Sequence, residues 1–423
     1  MIKLSFLSGE KINLNINFGI IINPVGTFGG AQRRFTNLFR DIYVKFPDNA
    51  YCFVSYDLLD KIKNIYPQYP LNNVIPIGKK EFQTKNVTVN KNTAGQKNYS
   101  KDITKTSFLR KLYRYLKSYF TQYNLYKEIE KYRKENNIRV LIGVYSGILP
   151  LYFYLNKTKR KVGIVFCDMD SCFRDILPKE KKYWYRKYSS FNYALENSDY
   201  VDFLSPFILK GVKERGMNIR EDSDSITPCS FTDYSKCKIG DKSIFQVAFA
   251  GRLEKDKNPD LFLEAAIILS KKYPEILFHI MGEGRLSSDI KEKVNNSGLG
   301  NIIFHGFHPQ PTEILLDTSV FVSIQTTNNY PSQSVLEAMG CGNAIVASDV
   351  GDTRMFINKD NGILIKPEVV ELVSAIENLY VNKEFRERLG KNAFSYVREN
   401  HTIEKMAEYY VDLFKKASSR FSK

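Results

Sequence analysis

The sequence predicts an α/β protein built on doubly wound parallel sheets. Three observations lead there. The chain has 423 residues, enough for two ordinary domains with a core each. Short apolar runs at 247–250, 277–281, 302–305, 320–324, 344–347 and 362–365 alternate with helical patterns. The composition is that of a globular protein, 43% hydrophobic and 26% charged.

The N-terminal half repeats the pattern less regularly. Phe18–Ile22 reads as a first strand. Residues 24–30, with Gly26, Gly29 and Gly30, form a glycine loop, and Ala31–Phe39 begins a helix. A glycine loop between a first strand and a first helix lets backbone amides approach a ligand. Arg139–Tyr145, Val162–Phe166 and Tyr200–Leu204 read as further strands. Residues 83–107 are polar and lysine-rich and are expected to be a mobile insertion. Phe108–Glu135 reads as a helix, with Phe108, Leu112, Leu116, Tyr119, Tyr123 and Tyr126 at spacings of three and four. Arg110, Lys111, Arg114 and Lys117 lie between them. This is either an ordinary crossover helix or one whose basic first half rests on anionic lipid. Ile403–Ala417 is a final amphipathic helix.

Several residues in this half are candidates for chemistry. Asp168 and Asp170 follow the Val162–Phe166 strand. Either can orient a hydroxyl of a bound ligand, and either can simply cap the next turn. Trp184, the single Trp, lies in the cation- and aromatic-rich run Lys179–Tyr188. That run suits stacking on a sugar, a membrane face or a half-buried helix.

Charge is unevenly placed. Residues 1–235 hold 38 Lys+Arg against 22 Asp+Glu, while residues 236–423 hold 24 of each. The whole net charge of +16 therefore belongs to the N-terminal part, which suggests an anionic partner there: nucleic acid, an acidic membrane surface or a phosphorylated acceptor. A lysine-rich domain with no specific anion partner also fits. Zinc-finger, RRM and helix-turn-helix patterns are missing, which disfavours nucleic acid. No apolar stretch reaches the ~20 residues that cross a bilayer, and the N-terminus does not read as a signal peptide. The six cysteines show neither a C-x-x-C pair nor metal-ligand spacing. A cytoplasmic protein is expected, with reduced thiols used for packing.

Two segments concentrate the chemistry. In Gln246–Asn258, the strand Val247–Ala250 ends at Gly251; Arg252 and Lys257 follow, and Asn258-Pro259 opens a helix. A guanidinium fork and a mobile ammonium ahead of a helix start suit a diphosphate. Solvated surface cations are the plainer explanation for the pair taken alone. In Asn329–Asp352, Asn329, Ser332, Gln333, Ser334 and Glu337 cluster between two apolar strands at a helix start. The spelling Ser334-Val335-Leu336-Glu337 also fits a capping box closing on its own helix.

Together these segments resemble the donor domain of the retaining GT-B glycosyltransferases of family 4 (glycosyl transferases group 1). The matching positions are Arg252, Lys257, Glu337, the Gly282-Glu283-Gly284 turn and, more weakly, Gly29-Gly30-Ala31-Gln32-Arg33. The resemblance implies two Rossmann-like domains facing a cleft. It places an acceptor-binding domain at 1–235, a nucleotide-sugar donor domain at 236–402 and a C-terminal helix, 403–423, crossing back to the first.

It further implies a metal-independent hexosyltransferase that needs no cofactor beyond its co-substrate, a UDP- or GDP-sugar. Arg252 and Lys257 would hold the diphosphate with the Ser332–Ser334 amides, Glu337 the ribose and Asn329 the donor sugar. Gly29, Gly30, Gly282 and Gly284 would approach the donor, with Asp168 near the reaction and Asp170 and Trp184 on the acceptor side. The acceptor would be a glycan or lipid-linked hydroxyl in bacterial surface polysaccharide synthesis, with the protein peripheral at the inner face of the plasma membrane. Three departures stand out: Asn329 occupies the position of the family's first Glu, Pro331-Ser332 replaces the Phe-Gly after it, and Gly351-Asp352-Thr353-Arg354-Met355 replaces its Gly-Gly-x-x-Glu. A weakly active sugar-binding scaffold is the alternative these departures raise.

Overall fold

The computed structural model describes residues 14–22, 30–78, 123–144, 162–168, 194–214, 218–330 and 332–420. Residues 83–107 lie outside that set, as does the 108–122 part of the expected helix; 123–135 are helical.

The first sheet contains β1 (Asn17–Ile22), β2 (Ala50–Ser55), β3 (Val74–Ile77), β4 (Ile138–Val144), β5 (Gly163–Asp168), β6 (Tyr200–Phe203) and β7 (Asp224–Ile226). Their order is β3-β2-β1-β4-β5-β6-β7, and the pairs from β3 through β6 are parallel. β2, β3 and β7 were not marked by the apolar pattern. β3 carries Pro76 and flanks the sheet, where a missing amide donor is tolerated. β7 is three residues long and mostly exposed.

The second sheet contains β8 (Gln246–Ala250), β9 (Leu277–Met281), β10 (Ile302–Gly306), β11 (Val320–Ser323), β12 (Ala344–Ser348) and β13 (Gly362–Ile365). Its order is β10-β9-β8-β11-β12-β13, all parallel. Helices cover both faces, so alternate residues of one strand enter different cores. Val247 and Phe249 join Phe262, Phe278 and Ile376 on one side. Ala248 joins Phe321, Ile345, Leu336 and Met339 on the other. Burial on both faces is why these strands read as unbroken apolar runs.

The chain divides into two compact units: Met1–Phe203 with Val212–Ser225 and Tyr410–Lys423, and Leu204–Gly211 with Ile226–Tyr409. The last helix, Ile403–Arg420, runs from the second unit into the first. Within the first unit its end is held by specific contacts. Phe414 packs on Phe18 with ring centroids 4.4 Å apart, Tyr410 Oη donates to Asp202 Oδ2 at 2.7 Å, and Arg420 donates to the Asp199 carbonyl at 2.7 Å.

A histidine cluster on the second sheet makes stability depend on pH. His279, on β9, is buried; its Nε2 meets Gln246 Oε1 at 2.8 Å and its Nδ1 meets His305 Nε2 at 3.0 Å. The His308 ring stands edge-on to His305 at 6.1 Å. Burial, with His305 alongside, pushes the His279 pKa down to about 4, and burial with His308 lowers that of His305. The unfolded chain takes up these protons near pH 6.5. Because the folded value is depressed, the stabilisation is whole above the unfolded value and is lost as pH falls from 6.5 towards 4. Acidifying from about pH 7 to about pH 5 is expected to cost about 2 kcal/mol through His279, seen as a lower urea midpoint. His279→Gln should flatten that dependence; an equally steep loss in the variant refutes the assignment.

Candidate functional site at the carboxyl edge of the second sheet

In an open parallel sheet, ligands bind beyond the strand carboxyl ends where the strand order reverses. In the second sheet that point lies between β8 and β11, whose chain continuations lead to opposite flanks. The loops leaving these two strands contain both segments singled out in the sequence.

The loop after β8 is fastened to the loop after β9. Gly251 N donates to the Met281 carbonyl at 3.1 Å, Leu253 N to the Glu283 carbonyl at 3.0 Å, and Leu286 N to the Leu253 carbonyl at 3.0 Å. Glycine is needed for this approach. A Cβ on Gly282, at φ +136°, would stand 1.8 Å from the Gly251 oxygen, and one on Gly284 2.4 Å from the Leu253 oxygen. Arg285 pairs with Glu254 at 2.8 Å and adds a side-chain clasp. Arg252 is exposed on this loop. Lys257 closes a 3-10 turn, Lys255–Lys257; Asn258 follows in the left-handed region and Pro259 begins the helix Pro259–Lys272.

The loop after β11 meets it. Lys257 Nζ donates to Gln325 Oε1, and Thr326 N donates to the Asp256 carbonyl at 3.2 Å. Gln325 is fixed in turn: its amide donates to Ser348 Oγ at 2.9 Å, that hydroxyl donates back to its carbonyl at 2.8 Å, and its Nε2 donates to Asn329 Oδ1. Asn329 is 1% exposed. Its Oδ1 also accepts from Ser323 Oγ at 2.9 Å, and its Nδ2 donates to the Ser323 carbonyl at 3.3 Å. The side chain assigned from the sequence to the donor sugar thus spends its oxygen on internal partners.

The helix Gln333–Gly340 begins after Ser332, whose Oγ accepts from Val335 N at 3.4 Å and lies 3.2 Å from Ser334 Oγ. The capping box that Ser334 and Glu337 also allowed does not form. Ser332 is the cap, Ser334 is already inside the helix, and Glu337 accepts instead from Thr232 Oγ1 at 3.3 Å. Gln333 Nε2 donates to the Phe231 carbonyl at 2.7 Å, so two residues of this helix hold the segment that enters the unit. In the loop after β11, Asn328 Oδ1 accepts from Tyr330 N at 3.1 Å and, from past β12, Asp352 N at 3.0 Å; Asp352 Oδ2 accepts from Phe207 N at 2.7 Å. Gly351, at φ +54°, leaves room for Asn328, which a Cβ would meet at 2.5 Å.

The structure therefore gathers Arg252, Lys257, Gly282, Gly284, Asn329, Ser332, Gln333, Ser334 and Glu337 on the loops and helix start that follow β8, β9 and β11. Asp168 ends β5 in the first sheet, level with Phe203 of β6, and Gly30 opens the helix Gly30–Lys45. Gly29, Asp170 and Trp184 lie outside the described residues. Sequence reasoning missed Gln325, Ser323, Ser348 and Thr232. A single glutamine at the end of the apolar run Val320–Ile324 was the one available signal for Gln325.

Residues 238–396 match the family described as glycosyl transferases group 1. The poly(ribitol-phosphate) alpha-N-acetylglucosaminyltransferase of Staphylococcus aureus (strain COL) is 24% identical over 297 residues, covering 68% of this chain and 57% of the relative. The O-antigen chain mannosyltransferase C of Escherichia coli is 26% identical over 179 residues, covering 39% of this chain and 45% of the relative. The chain thus spans about half the length of these curated relatives. Among solved structures, a glycosyltransferase from Rickettsia africae ESF-5 superposes with TM-score 0.69 at 14% identity, covering 96% of this chain and 99% of the other. Anabaena HepE in complex with UDP and glucose superposes with TM-score 0.66 at 14% identity, covering 95% and 99%. The fold is GT-B: two α/β domains on parallel sheets of seven and six strands.

Proposed function

We propose that this chain is a retaining glycosyltransferase of family 4 type that moves a hexose from a nucleotide sugar to a hydroxyl of a glycan or lipid-linked acceptor in bacterial surface polysaccharide synthesis. One observation carries the reading. At the switch point of the second sheet, an ammonium from the β8 loop meets the β11 loop that leads directly into a helix start. That arrangement suits a diphosphate, and the relatives include transferases named for poly(ribitol-phosphate) and for the O-antigen chain.

In the proposed reaction the anomeric carbon–phosphate oxygen bond breaks and a bond to the acceptor oxygen forms on the same face. The acceptor proton passes to the leaving phosphate oxygen. Negative charge grows on the diphosphate, and Arg252, Lys257 and the amides after Ser332 receive it in place of a metal ion. Glu337 binds the ribose hydroxyls, with Thr232 fixing its carboxylate. The basic N-terminal part binds the acceptor, through Asp168, Asp170 and Trp184, and rests on an anionic membrane surface. No described helix is long and apolar enough to cross a membrane.

Thermal denaturation with UDP-, GDP- and ADP-sugars tests the donor assignment. A ligand at about 100 times its Kd adds about 2.7 kcal/mol to the folded state. One donor should raise the melting temperature and then be hydrolysed slowly or transferred; indifference to all three sinks the proposal. Binding without turnover would identify a sugar-binding scaffold instead.

A further inference from the structure

The segment that enters the second unit meets the far end of the helix Gln333–Gly340 through two cysteines. Cys237 lies between β7 and β8, in a stretch of turn and loop. Cys341 caps the carboxyl end of the helix. Both thiols are free and buried, Cys237 at 5% exposure and Cys341 at 0%. They share one acceptor: the Glu337 carbonyl lies 3.9 Å from Cys237 Sγ and 3.0 Å from Cys341 N. The Cys237 thiol also donates to the Cys341 sulfur. The segment and the helix end approach so closely that a Cβ on Gly340 would stand 3.2 Å from Cys237 Cβ.

The two sulfurs are not equivalent. The hydrogen bond from Cys237 lowers the Cys341 pKa and, against burial, the Lys242 charge lowers it further. The Cys237 thiol, as donor, is pushed up. Lys242 is fastened by the Thr318 carbonyl and Asn343 Oδ1. Burial lowers its own pKa to about 8, which leaves it mostly charged at neutral pH. A thiolate favoured by a neighbouring cation is the form that reacts. Access runs through Cys237, since Ser235, Lys236, Lys238 and Ile239 around it are exposed. Opening a short loop costs far less than opening a sheet.

We propose that Cys237 and Cys341 are an oxidisable pair: Cys341 reacts with a peroxide, and Cys237 resolves the product to a disulfide. In the first step the Cys341 sulfur bonds to one peroxide oxygen as the O–O bond breaks. The hydroxide released takes the thiol proton and leaves as water. In the second step the Cys237 sulfur bonds to the Cys341 sulfur as the S–O bond breaks. That oxygen leaves as water with the Cys237 proton. The two sulfurs together lose two electrons, and hydrogen peroxide gains them. The product ties the entry segment, which also carries Thr232, to the helix that carries Glu337. The inference does not depend on the donor reading.

Hydrogen peroxide added to the folded chain, followed by alkylation and peptide mapping, tests it. Two free thiols per chain should disappear. The peptides holding Cys237 and Cys341 should be recovered joined and should separate again with dithiothreitol. Cys237→Ser should stop at a sulfenic acid on Cys341, captured by dimedone, whereas Cys341→Ser should leave Cys237 a thiol. A folded wild-type chain whose two cysteines are still alkylated after peroxide, or join only in urea, overturns the proposal without any variant having to fold. Dimedone capture on Cys237 in Cys341→Ser equal to that on Cys341 in Cys237→Ser overturns the order of the two steps.

Discussion

Lys257→Ala is expected to reduce transfer by two to three orders of magnitude, or about 3 kcal/mol in the barrier, while the protein still folds. The size follows from where charge develops. A preorganised cation beside the leaving diphosphate acts on the transition state more than on the bound substrate, so kcat should fall rather than KM alone rise. The fold should survive because Lys257 lies on a 3-10 turn outside both cores, 19% exposed. The losses include a charged hydrogen bond to Gln325, typically worth about 1.5–3 kcal/mol, and the 3.7 Å ion pair with the exposed Asp256 carboxylate. Lys257→Arg should recover little, since Gln325 presents a single oxygen to a point charge and a planar fork needs a different approach. Single-turnover donor cleavage, beside a melting curve, reads both halves. Wild-type rates in Lys257→Ala would reject the diphosphate role.

How much of this site was legible in the sequence depended on the range of the interaction. The strands around Val247 and Val320 were legible because burial on both faces leaves an uninterrupted apolar run. Arg252, Lys257 and Asn258-Pro259 were legible because a strand end, a turn and a helix start are adjacent in the chain. The partner of Lys257 was not. Gln325 is 68 positions away, and nothing local distinguishes it from any polar residue after a strand. Thr232, 105 positions from Glu337, was hidden for the same reason.

The capping box failed differently. Ser332 and Ser334 are chemically equivalent caps, and the register of the helix chose the first because its Oγ faces Val335 N. β3 was hidden by Pro76, which the sheet accommodates at its flank. The grouping of Leu204–Gly211 with the second unit, and of Tyr410 onward with the first, has no periodic signature. It comes from long-range contacts such as those of Tyr410 with Asp202 and Phe414 with Phe18.

Gly282→Ala should damage stability and donor binding together. Gly282 follows β9 at φ +136°, a conformation that strains any L side chain, and its Cβ would stand 1.8 Å from the Gly251 oxygen. The clash is with backbone at the end of a central strand, so no rotamer relieves it. Either the β9 loop backs away, breaking the bonds Gly282 N to the Gly306 carbonyl at 2.7 Å and Gly251 N to the Met281 carbonyl at 3.1 Å, or the β8 loop moves. Strain and overpacking together are expected to cost on the order of 4 kcal/mol. Movement of the β8 loop would also carry Lys257 away from Gln325, since Leu253 is tied to Glu283 and Leu286 in the displaced turn.

Gly251→Ala is the informative partner. A Cβ there meets nothing within 4 Å, so this neighbouring substitution should be close to neutral for folding. Urea midpoints and diphosphate affinities of the two variants check both statements. A Gly282→Ala protein as stable as Gly251→Ala would mean that the two loops are not in the close contact from which the site is built.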